Sequence, residues 1–204
     1  MTLPSKSRAT MVVEREKKLR FRIVLNMLRL FTGLALQYPV RRNVELVLEH
    51  LRPLAPLAWS PTDNFHITTK FIGAWEEARL DELKAALAEV KKVRPVTVKV
   101  GGFGWYPNPH HPRVLFAGVR APEALYELER GLEDCIVKLG VVSEGREYVP
   151  HMTLARVKGT VELAGLRQAI AQLPSADFGE SKAAKFLLYK SEGGVYQVIG
   201  EFVL

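Results

Sequence analysis

The same order of predicted elements occurs twice along this chain, and that repetition limits the folds it can adopt. In each half, short segments rich in β-branched and aromatic residues alternate with longer segments whose apolar residues recur at helical spacing. The connections between them are too short to separate independent domains. Interspersed strands and helices of this kind are typical of an α+β fold whose sheets are mainly antiparallel. The predicted strands are 28–36, 57–60, 65–73, 95–103, 113–119, 147–159, 183–190 and 195–204, and the predicted helices are 40–51, 76–92, 122–140 and 161–173.

Glycine and proline set several of the predicted ends. Gly73 is expected to end the strand that begins at Phe65. Pro122 suits the first turn of a helix, and Gly140 suits the position just after the end of that helix. The segment 76–92 is amphipathic and carries acidic residues in its first turn, where they favour the helix dipole.

Cysteine usage and apolar content bear on the compartment. Cys135 is the only cysteine, so an internal disulfide is excluded and a reducing environment is expected. Its position in a predicted helix favours a small packed apolar residue. The longest apolar stretch, 23–36, is interrupted by Asn26 and Arg29 and is shorter than the roughly 20 residues of a spanning helix. We therefore expect no membrane span and a cytoplasmic protein.

The basic charge of the chain is concentrated near its amino terminus. The formal net charge is +7, and residues 1–26 contain seven Lys and Arg residues against two Glu residues. We expect residues 1–26 to be a basic, disordered extension that is solvated, with contact to nucleic acid as the alternative. Residues 27–204 are then expected to form a single domain.

Two short motifs of the form His-x-Thr share the same surroundings. His66 and Thr68 lie in one predicted strand, His151 and Thr153 lie in another, and a predicted helix follows each strand. The motifs are separated by about half of residues 27–204, which predicts two similar lobes with one motif each. Because residues i and i+2 of a strand face the same side, each motif presents an imidazole beside a hydroxyl. The residue between them is expected to point into a core.

Two imidazoles and two hydroxyls in one cleft suit the hydrolysis of a phosphodiester without a metal. Histidine titrates near neutral pH, so one ring can take a proton from water while the other donates one to the leaving oxygen. Each contribution is typically about 10²–10⁴ in rate. The threonine hydroxyls can donate to phosphate oxygens, and Arg156 can add charge-assisted contacts. The spacing alone leaves open an alternative, two half-buried histidines beside ordinary β-forming threonines.

Two cations near the motifs depend on the regularity of their strands. Lys70 shares the face of His66 and Thr68 if the strand is regular, and a charge on the rim of the cleft is favoured over a phosphate contact. Arg156 lies three residues past Thr153, so strict alternation turns it away from the cleft. A β-bulge would return it, and on that condition we expect Arg156 to bind substrate.

The segment 105–112 contains side chains that the two motifs do not explain. Trp105 and Tyr106 are equally consistent with stacking on a nucleobase and with packing in a loop. His110 and His111 lie in a proline-rich loop without the Cys, Asp or Glu companions of a metal site. We expect these histidines to be exposed, and we expect neither a metal nor a cofactor.

The two motifs and their flanking segments resemble the two-histidine (2H) phosphoesterase superfamily. Within it, they resemble the RNA 2′,3′-cyclic phosphodiesterases, long named 2′-5′ RNA ligases. The matching segments are LRLFTGLAL, DNFHITTKFIG, RVLFAGV and EYVPHMTLARVKG, in the same order, and the likeness covers residues 27–204. The resemblance implies a single bilobal α+β domain of two mainly antiparallel sheets flanked by helices, with one motif from each lobe in a central cleft.

The resemblance also implies a reaction and the roles of the site residues. A 2′,3′-cyclic phosphate end would be opened to a 2′-phosphate end, with His66 as proton donor and His151 as proton acceptor. Thr68 and Thr153 match the hydroxyls that contact phosphate in the family. Thr69 departs from the family pattern, in which an apolar residue is usual, but alternation directs it away from the cleft. The PNPHHP loop also lies outside the pattern.

The expected partners are RNAs with 2′,3′-cyclic phosphate ends, such as tRNA fragments, or small cyclic nucleotides, and the chain is expected to act as a monomer. Reverse ligation to a 2′-5′ linkage could accompany hydrolysis. Two alternatives stay open. One is an enzyme for a small cyclic phosphate such as an ADP-ribose cyclic phosphate. The other is a non-catalytic RNA-binding protein that uses the basic extension and needs neither histidine.

Overall fold

The architecture combines antiparallel sheets with helices, as the interspersed pattern predicts. The computed structural model describes residues 27–143 and 145–204, so the basic extension lies outside the described residues. Within these residues there are nine strands and four α-helices. The strands are β1 Met27–Ala35, β2 Ala58–Trp59, β3 His66–Glu76, β4 Val96–Tyr106, β5 Val114–Arg120, β6 His151–Arg156, β7 Asp177–Ala183, β8 Lys185–Glu192 and β9 Val195–Val203, and the helices are α1 Tyr38–Leu51, α2 Leu80–Ala88, α3 Glu123–Lys138 and α4 Ala164–Ala171.

The strands form two sheets in which all neighbours are antiparallel. The first sheet has the order β3-β1-β8-β9, and the second has the order β2-β6-β5-β4-β7. Each sheet contains one His-x-Thr strand, β3 in the first and β6 in the second, which confirms the prediction of one motif per lobe. The sheets do not coincide with the two halves of the sequence. The carboxy-terminal hairpin β8–β9 joins the first sheet beside β1, whereas β2 pairs with β6.

Apolar stripes on the helices contribute to one continuous core. Full burial of an aliphatic side chain contributes about 1.5–3 kcal/mol, so a stripe of such residues holds each helix against its neighbours. Helix α3 comes from the second half of the sequence but packs against β3 of the first sheet. The buried stripes are Val40, Val44, Leu48 and Leu51 in α1, and Leu125, Leu128, Leu132 and Ile136 in α3.

Gly73 does not end β3, in contrast to the prediction. The strand continues to Glu76 because the glycine adopts a left-handed backbone with a φ of +84° beside a register irregularity opposite Leu30. The continuation places Trp75 in the core at 3% exposure. Glycine often ends a strand, but Gly73 instead allows β3 to continue past a register irregularity.

Strand β7 is absent from the prediction, and several element ends differ. Only Phe178 and Ser181 of β7 are buried, and its polar composition carries little strand signal. The strand exists because it pairs with β4 at the edge of the second sheet. Three predicted elements exceed the observed ones by five or more residues: 76–92 against Leu80–Ala88 preceded by a 3₁₀ turn, 147–159 against His151–Arg156, and 161–173 against Ala164–Ala171.

The surroundings of Cys135 and the apolar content of the helices agree with the sequence analysis. Cys135 is half-buried on α3 and packs against the core, as predicted, and burial raises the pKa of its thiol. No helix in the described part of the chain is long and apolar enough to cross a bilayer.

Candidate active site

Strands β3 and β6 expose the histidine and threonine of their motifs on one face. In β3, His66 and Thr68 are partly exposed, and Ile67 between them is fully buried. In β6, His151 and Thr153 repeat this arrangement around another buried residue. The predicted alternation is therefore confirmed in both strands, and each motif presents an imidazole beside a hydroxyl.

Contacts between the sheets bring the two motifs together. The hydroxyl of Tyr148, just before β6, donates a hydrogen bond to the backbone carbonyl of Thr68 in β3 at 2.8 Å. Strands β3 and β6 are themselves in contact. A positive charge on His151 lowers the pKa of His66, so the two imidazoles lie within electrostatic reach of each other. The motifs of both sheets therefore line one cleft.

Backbone carbonyls fix the tautomer of both imidazoles. His66 Nδ1 lies 2.6 Å from the carbonyl oxygen of Asn64, and His151 Nδ1 lies 2.8 Å from that of Val149. Because a carbonyl only accepts, each Nδ1 carries a hydrogen and each Nε2 is left for the cleft. In the neutral state, His66 Nε2 accepts a hydrogen bond from the Thr68 hydroxyl at 3.0 Å.

Burial favours the neutral form of both imidazoles at pH 7. Burial, together with the charges of His151 and Arg156, lowers the pKa of His66 from 6.5 to about 4. Burial, together with the charges of Arg146 and Arg156, also lowers the pKa of His151. The hydrogen bonds to backbone carbonyls oppose both shifts without outweighing burial. The positive charge of Arg156 thus acts on the pKa of both rings.

Aromatic rings from three other strands surround His66. The centroid of its ring lies 4.7 Å from that of Phe31 in β1, 5.2 Å from Tyr196 in β9 and 5.6 Å from Tyr189 in β8. These rings exclude water from the imidazole and so account for its lowered pKa. Sequence reasoning missed them because their contact with His66 depends on the spatial order of the strands, which no local pattern specifies.

Two further rings flank His151. Its ring centroid lies 5.2 Å from Tyr106 and 5.3 Å from Phe116. Gly104 makes room for this arrangement, because a Cβ there would clash with the Phe116 ring. Trp105 and Tyr106 are adjacent in the sequence but pack in different places. Tyr106 packs against His151, whereas Trp105 lies beneath the guanidinium of Arg167 at 5.1 Å.

A β-bulge places Arg156 on the face of the second motif. The register between β5 and β6 shifts so that Leu154 is an extra residue without a partner in β5. Leu154 and Ala155 are both buried, and Arg156 is exposed. The side chain therefore returns to the face of His151 and Thr153. The bulge on which the expectation for Arg156 depended is present.

The corresponding bulge in β3 has a different consequence for Lys70. The register against β1 shifts at Thr69, and the side chain of Lys70 turns inward to 4% exposure. Its ammonium forms an ion pair with Glu133 on α3. The prediction of a rim charge is therefore wrong, because the bulge directs this side chain to the helix that packs on β3. Thr69 is itself buried, and its hydroxyl shares a 2.8 Å hydrogen bond with that of Thr32.

The position of β3 that corresponds to Arg156 is occupied by Phe71, also five residues after the motif histidine. Phe71 is 39% exposed, and the guanidinium of Arg29 lies 5.2 Å from its ring centroid. The two motifs are therefore unequal beyond their threonines. The His151 side carries a guanidinium where the His66 side carries an aromatic ring.

Metal-binding side chains are sparse around this cleft. The residues that the structure describes contain no group of three or more His, Cys, Asp or Glu side chains placed to hold a metal ion. His110 and His111 are exposed, as predicted. Their backbone amides each donate to Asn108 Oδ1 at 3.0 Å.

Curated relatives cover most of the chain. Residues 34–116 match the family described as LigT like Phosphoesterase. The chain is 31% identical to the RNA 2′,3′-cyclic phosphodiesterase of Methanothermobacter thermautotrophicus over 166 residues, which are 80% of this chain and 90% of the relative. It is 30% identical to the RNA 2′,3′-cyclic phosphodiesterase of Methanocaldococcus jannaschii over 179 residues, which are 86% of this chain and 100% of the relative.

Solved structures share the fold. The protein TT0787 of Thermus thermophilus gives a TM-score of 0.71 at 28% identity, over 86% of this chain and 97% of that one. E. coli LigT complexed with 3′-AMP gives a TM-score of 0.70 at 20% identity, over 87% of this chain and 98% of that one, which is a likeness in fold. Together with the two histidine motifs and the sequence relatives, these similarities show that the chain belongs to the LigT-like phosphoesterase family of the two-histidine superfamily.

Proposed function

We propose that this phosphoesterase opens the 2′,3′-cyclic phosphate end of an RNA to a 2′-phosphate end, with His66 as proton donor and His151 as proton acceptor. The observation that carries the proposal is the matched pair of imidazoles. Each Nδ1 donates to a backbone carbonyl, and each Nε2 is left for the reacting groups. The relatives named RNA 2′,3′-cyclic phosphodiesterases support the choice of substrate.

Each proton in the proposed reaction has a defined origin and destination. His151 Nε2 takes a proton from water while the water oxygen forms a bond to phosphorus. The P–O3′ bond breaks, and O3′ leaves with the electron pair and takes a proton from His66 Nε2. The products are a 2′-phosphomonoester and a free 3′-hydroxyl. A 5′-hydroxyl in place of water would give a 2′-5′ linkage through the same transfers.

The charge of the substrate reconciles a buried His66 with the role of a donor. A phosphodiester anion beside the ring stabilises the imidazolium and so raises its pKa. Once Nε2 is protonated, the Thr68 hydroxyl no longer donates to it, and the hydroxyl hydrogen is free for a non-bridging phosphate oxygen. Thr153 and Arg156 supply further donors from the opposite strand, where negative charge increases in the transition state.

Hydrolysis of uridine 2′,3′-cyclic phosphate in EDTA tests the proposal. We expect the native protein to yield a 2′-phosphate, and His66→Ala and His151→Ala each to lower kcat by about 10²–10⁴-fold. His50→Ala is a matched control, because His50 is exposed on α1, and it should keep the native rate. Alanine variants with native kcat, or a 3′-phosphate product, would show that the assigned roles are wrong.

A further inference from the structure

The PNPHHP loop forms one wall of an open groove at the end of the second sheet. The groove has a volume of about 580 Å³ and lies between the β4–β5 loop and the β6–α4 loop. Neither motif histidine lines it. We call it the loop groove, and its lining includes His110, His111, Arg113, Val157, Thr160 and Leu163.

The loop groove lies just past the carboxy-terminal end of β6, the strand that carries His151. Arg156 ends β6, and the next residue, Val157, lines the groove. The Val157 amide donates to the carbonyl of Arg113 at 2.9 Å, which joins the two walls. Six residues separate Val157 from His151 and one of them is the bulge residue Leu154, so at about 3.3 Å for each of the others the groove begins roughly 17 Å along β6 from His151. At about 3.4 Å per stacked nucleotide, that is a span of at most about five nucleotides, and of fewer in an extended strand.

The histidine wall of the groove is held in shape by other contacts. The amides of His110 and His111 both bind Asn108 Oδ1, as described above. The guanidinium of Arg167 donates to the carbonyl of Pro109 while it stacks on Trp105. A ligand therefore meets a preformed wall, and little ordering entropy opposes its binding.

The side chains of the loop groove suit a single-stranded polyanion. Arg113 is exposed, and among the described residues no carboxylate lies within ion-pair distance of it. The imidazoles and the Thr160 hydroxyl add hydrogen-bonding groups, and Val157 and Leu163 supply an apolar surface. The guanidinium, imidazole and hydroxyl groups can bind phosphate oxygens, and the apolar side chains can contact the faces of sugars or bases.

We propose that the loop groove binds the body of the RNA, within about five nucleotides of the cyclic phosphate end, with Arg113, His110 and His111 in contact with its backbone. This inference rests on the proposed function of the cleft. A substrate of one nucleotide is too short to reach the groove, so the groove increases the affinity only for longer RNAs. It makes no contact with the reacting atoms. The enzyme thereby favours an oligonucleotide over a cyclic mononucleotide.

Two substrates that differ only in length test the inference. Uridine 2′,3′-cyclic phosphate is compared with a six-nucleotide oligouridylate that has the same end, for the native protein, Arg113→Gln and the double variant His110→Ala/His111→Ala. We expect each variant to raise KM for the hexamer by about tenfold with kcat unchanged, the loss typical of a phosphate contact. For Arg113→Gln, the slope of log K against log salt concentration for hexamer binding should decrease by about one, the change expected for the loss of one phosphate contact.

Arg94→Gln is the matched control. Arg94 is exposed and precedes β4, whose far end adjoins the loop groove roughly 30 Å away. It should leave both substrates unaffected. An unchanged KM for the hexamer in Arg113→Gln, or an equal rise for both substrates, would overturn the inference while hydrolysis by the native protein still supports the proposed function. If the native protein hydrolyses neither substrate, the proposed function fails and the groove assignment falls with it.

Discussion

At the scale of single residues, the pKa of His66 depends on the charge beside its ring. Burial and positive neighbours lower this pKa to about 4, so only about one molecule in a thousand carries the imidazolium at pH 7. A phosphate anion acts in the opposite direction because it stabilises the charged ring. In the proposed mechanism, His66 is therefore a poor proton donor in the free protein and becomes a competent one in the complex with substrate.

We expect the pH dependences of kcat/KM and kcat to differ. The ratio kcat/KM reports the free protein, in which the pKa of both His66 and His151 lies below 6.5, so its optimum should lie below pH 6.5. It should decrease as the pH rises through neutrality, because the donor loses its proton. The optimum of kcat should lie at higher pH, since a bound anion raises both pKa values. Steady-state kinetics on uridine 2′,3′-cyclic phosphate measure both, and an optimum of kcat/KM above that of kcat would contradict the assignment.

Arg156 should affect both substrate binding and the protonation of the two histidines. Arg156→Gln removes a positive charge that lowers the pKa of His66 and His151, so both pKa values should rise. It should also raise KM by about 10–100-fold, because a hydrogen bond to a charged group contributes about 1.5–3 kcal/mol. Histidine NMR titration and steady-state kinetics measure these two effects. Arg156→Lys should recover only part of KM, because lysine lacks the planar bidentate fork, and a native KM in Arg156→Gln would rule out contact with phosphate.

At the scale of elements, matched bulges in the two motif strands mark how far the sequence predicts the site. Alternation correctly placed the histidine and threonine of each motif, because these precede the bulges. It failed for Lys70, because the extra residue at Thr69 has no signature in residue type. Sequence reasoning showed that Arg156 would face the cleft only if β6 contained a bulge. It could not predict that the bulge occurs at Leu154. The aromatic rings around the imidazoles were beyond prediction for another reason, since they come from strands that are distant in the chain.

The ion pair between Lys70 and Glu133 should stabilise the attachment of α3 to β3. Lys70→Met leaves the partly buried carboxylate of Glu133 without its ion-pair partner. We expect the free energy of unfolding to fall by about 3 kcal/mol. This is the low end of the range for buried pairs, because Glu133 keeps 23% exposure. Lys70→Met/Glu133→Leu should recover most of the loss. Lys185→Met is the control, because its ion pair with Glu201 is about half exposed and should contribute about 0–1 kcal/mol. Equal losses in urea unfolding for the two single variants would contradict this account.

At the scale of the whole molecule, the chain crosses between the sheets more than once. Strand β2 leaves the first half of the sequence to pair with β6, and the hairpin β8–β9 returns from the second half to pair with β1. Helix α3 from the second half packs on β3, and Tyr148 donates a hydrogen bond to the backbone of β3. Neither sheet is a product of one half of the chain alone, so the cleft is held by connections on both sides. A sequence repeat predicts two lobes but does not reveal this exchange of strands.

Deletion of residues 1–26 should separate RNA attraction from catalysis. All proposed site residues lie within 27–204, and the Methanocaldococcus jannaschii relative is matched over its full length by 179 residues. We therefore expect unchanged kcat and KM for uridine 2′,3′-cyclic phosphate. The deleted segment holds seven basic residues against two acidic ones, so binding of a longer RNA should depend less steeply on salt. Loss of activity on the mononucleotide would instead show that the extension contributes to the site.

The hairpin β8–β9 also determines when the site can first exist during synthesis. Both His-x-Thr motifs leave the ribosome before this hairpin does, yet Tyr189 and Tyr196 of the hairpin are two of the three rings packed on His66. A nascent chain that ends after β6 therefore has both imidazoles but lacks two of the three rings that pack on His66. The surroundings of His66 are thus completed only after the hairpin β8–β9 has followed both motifs out of the ribosome.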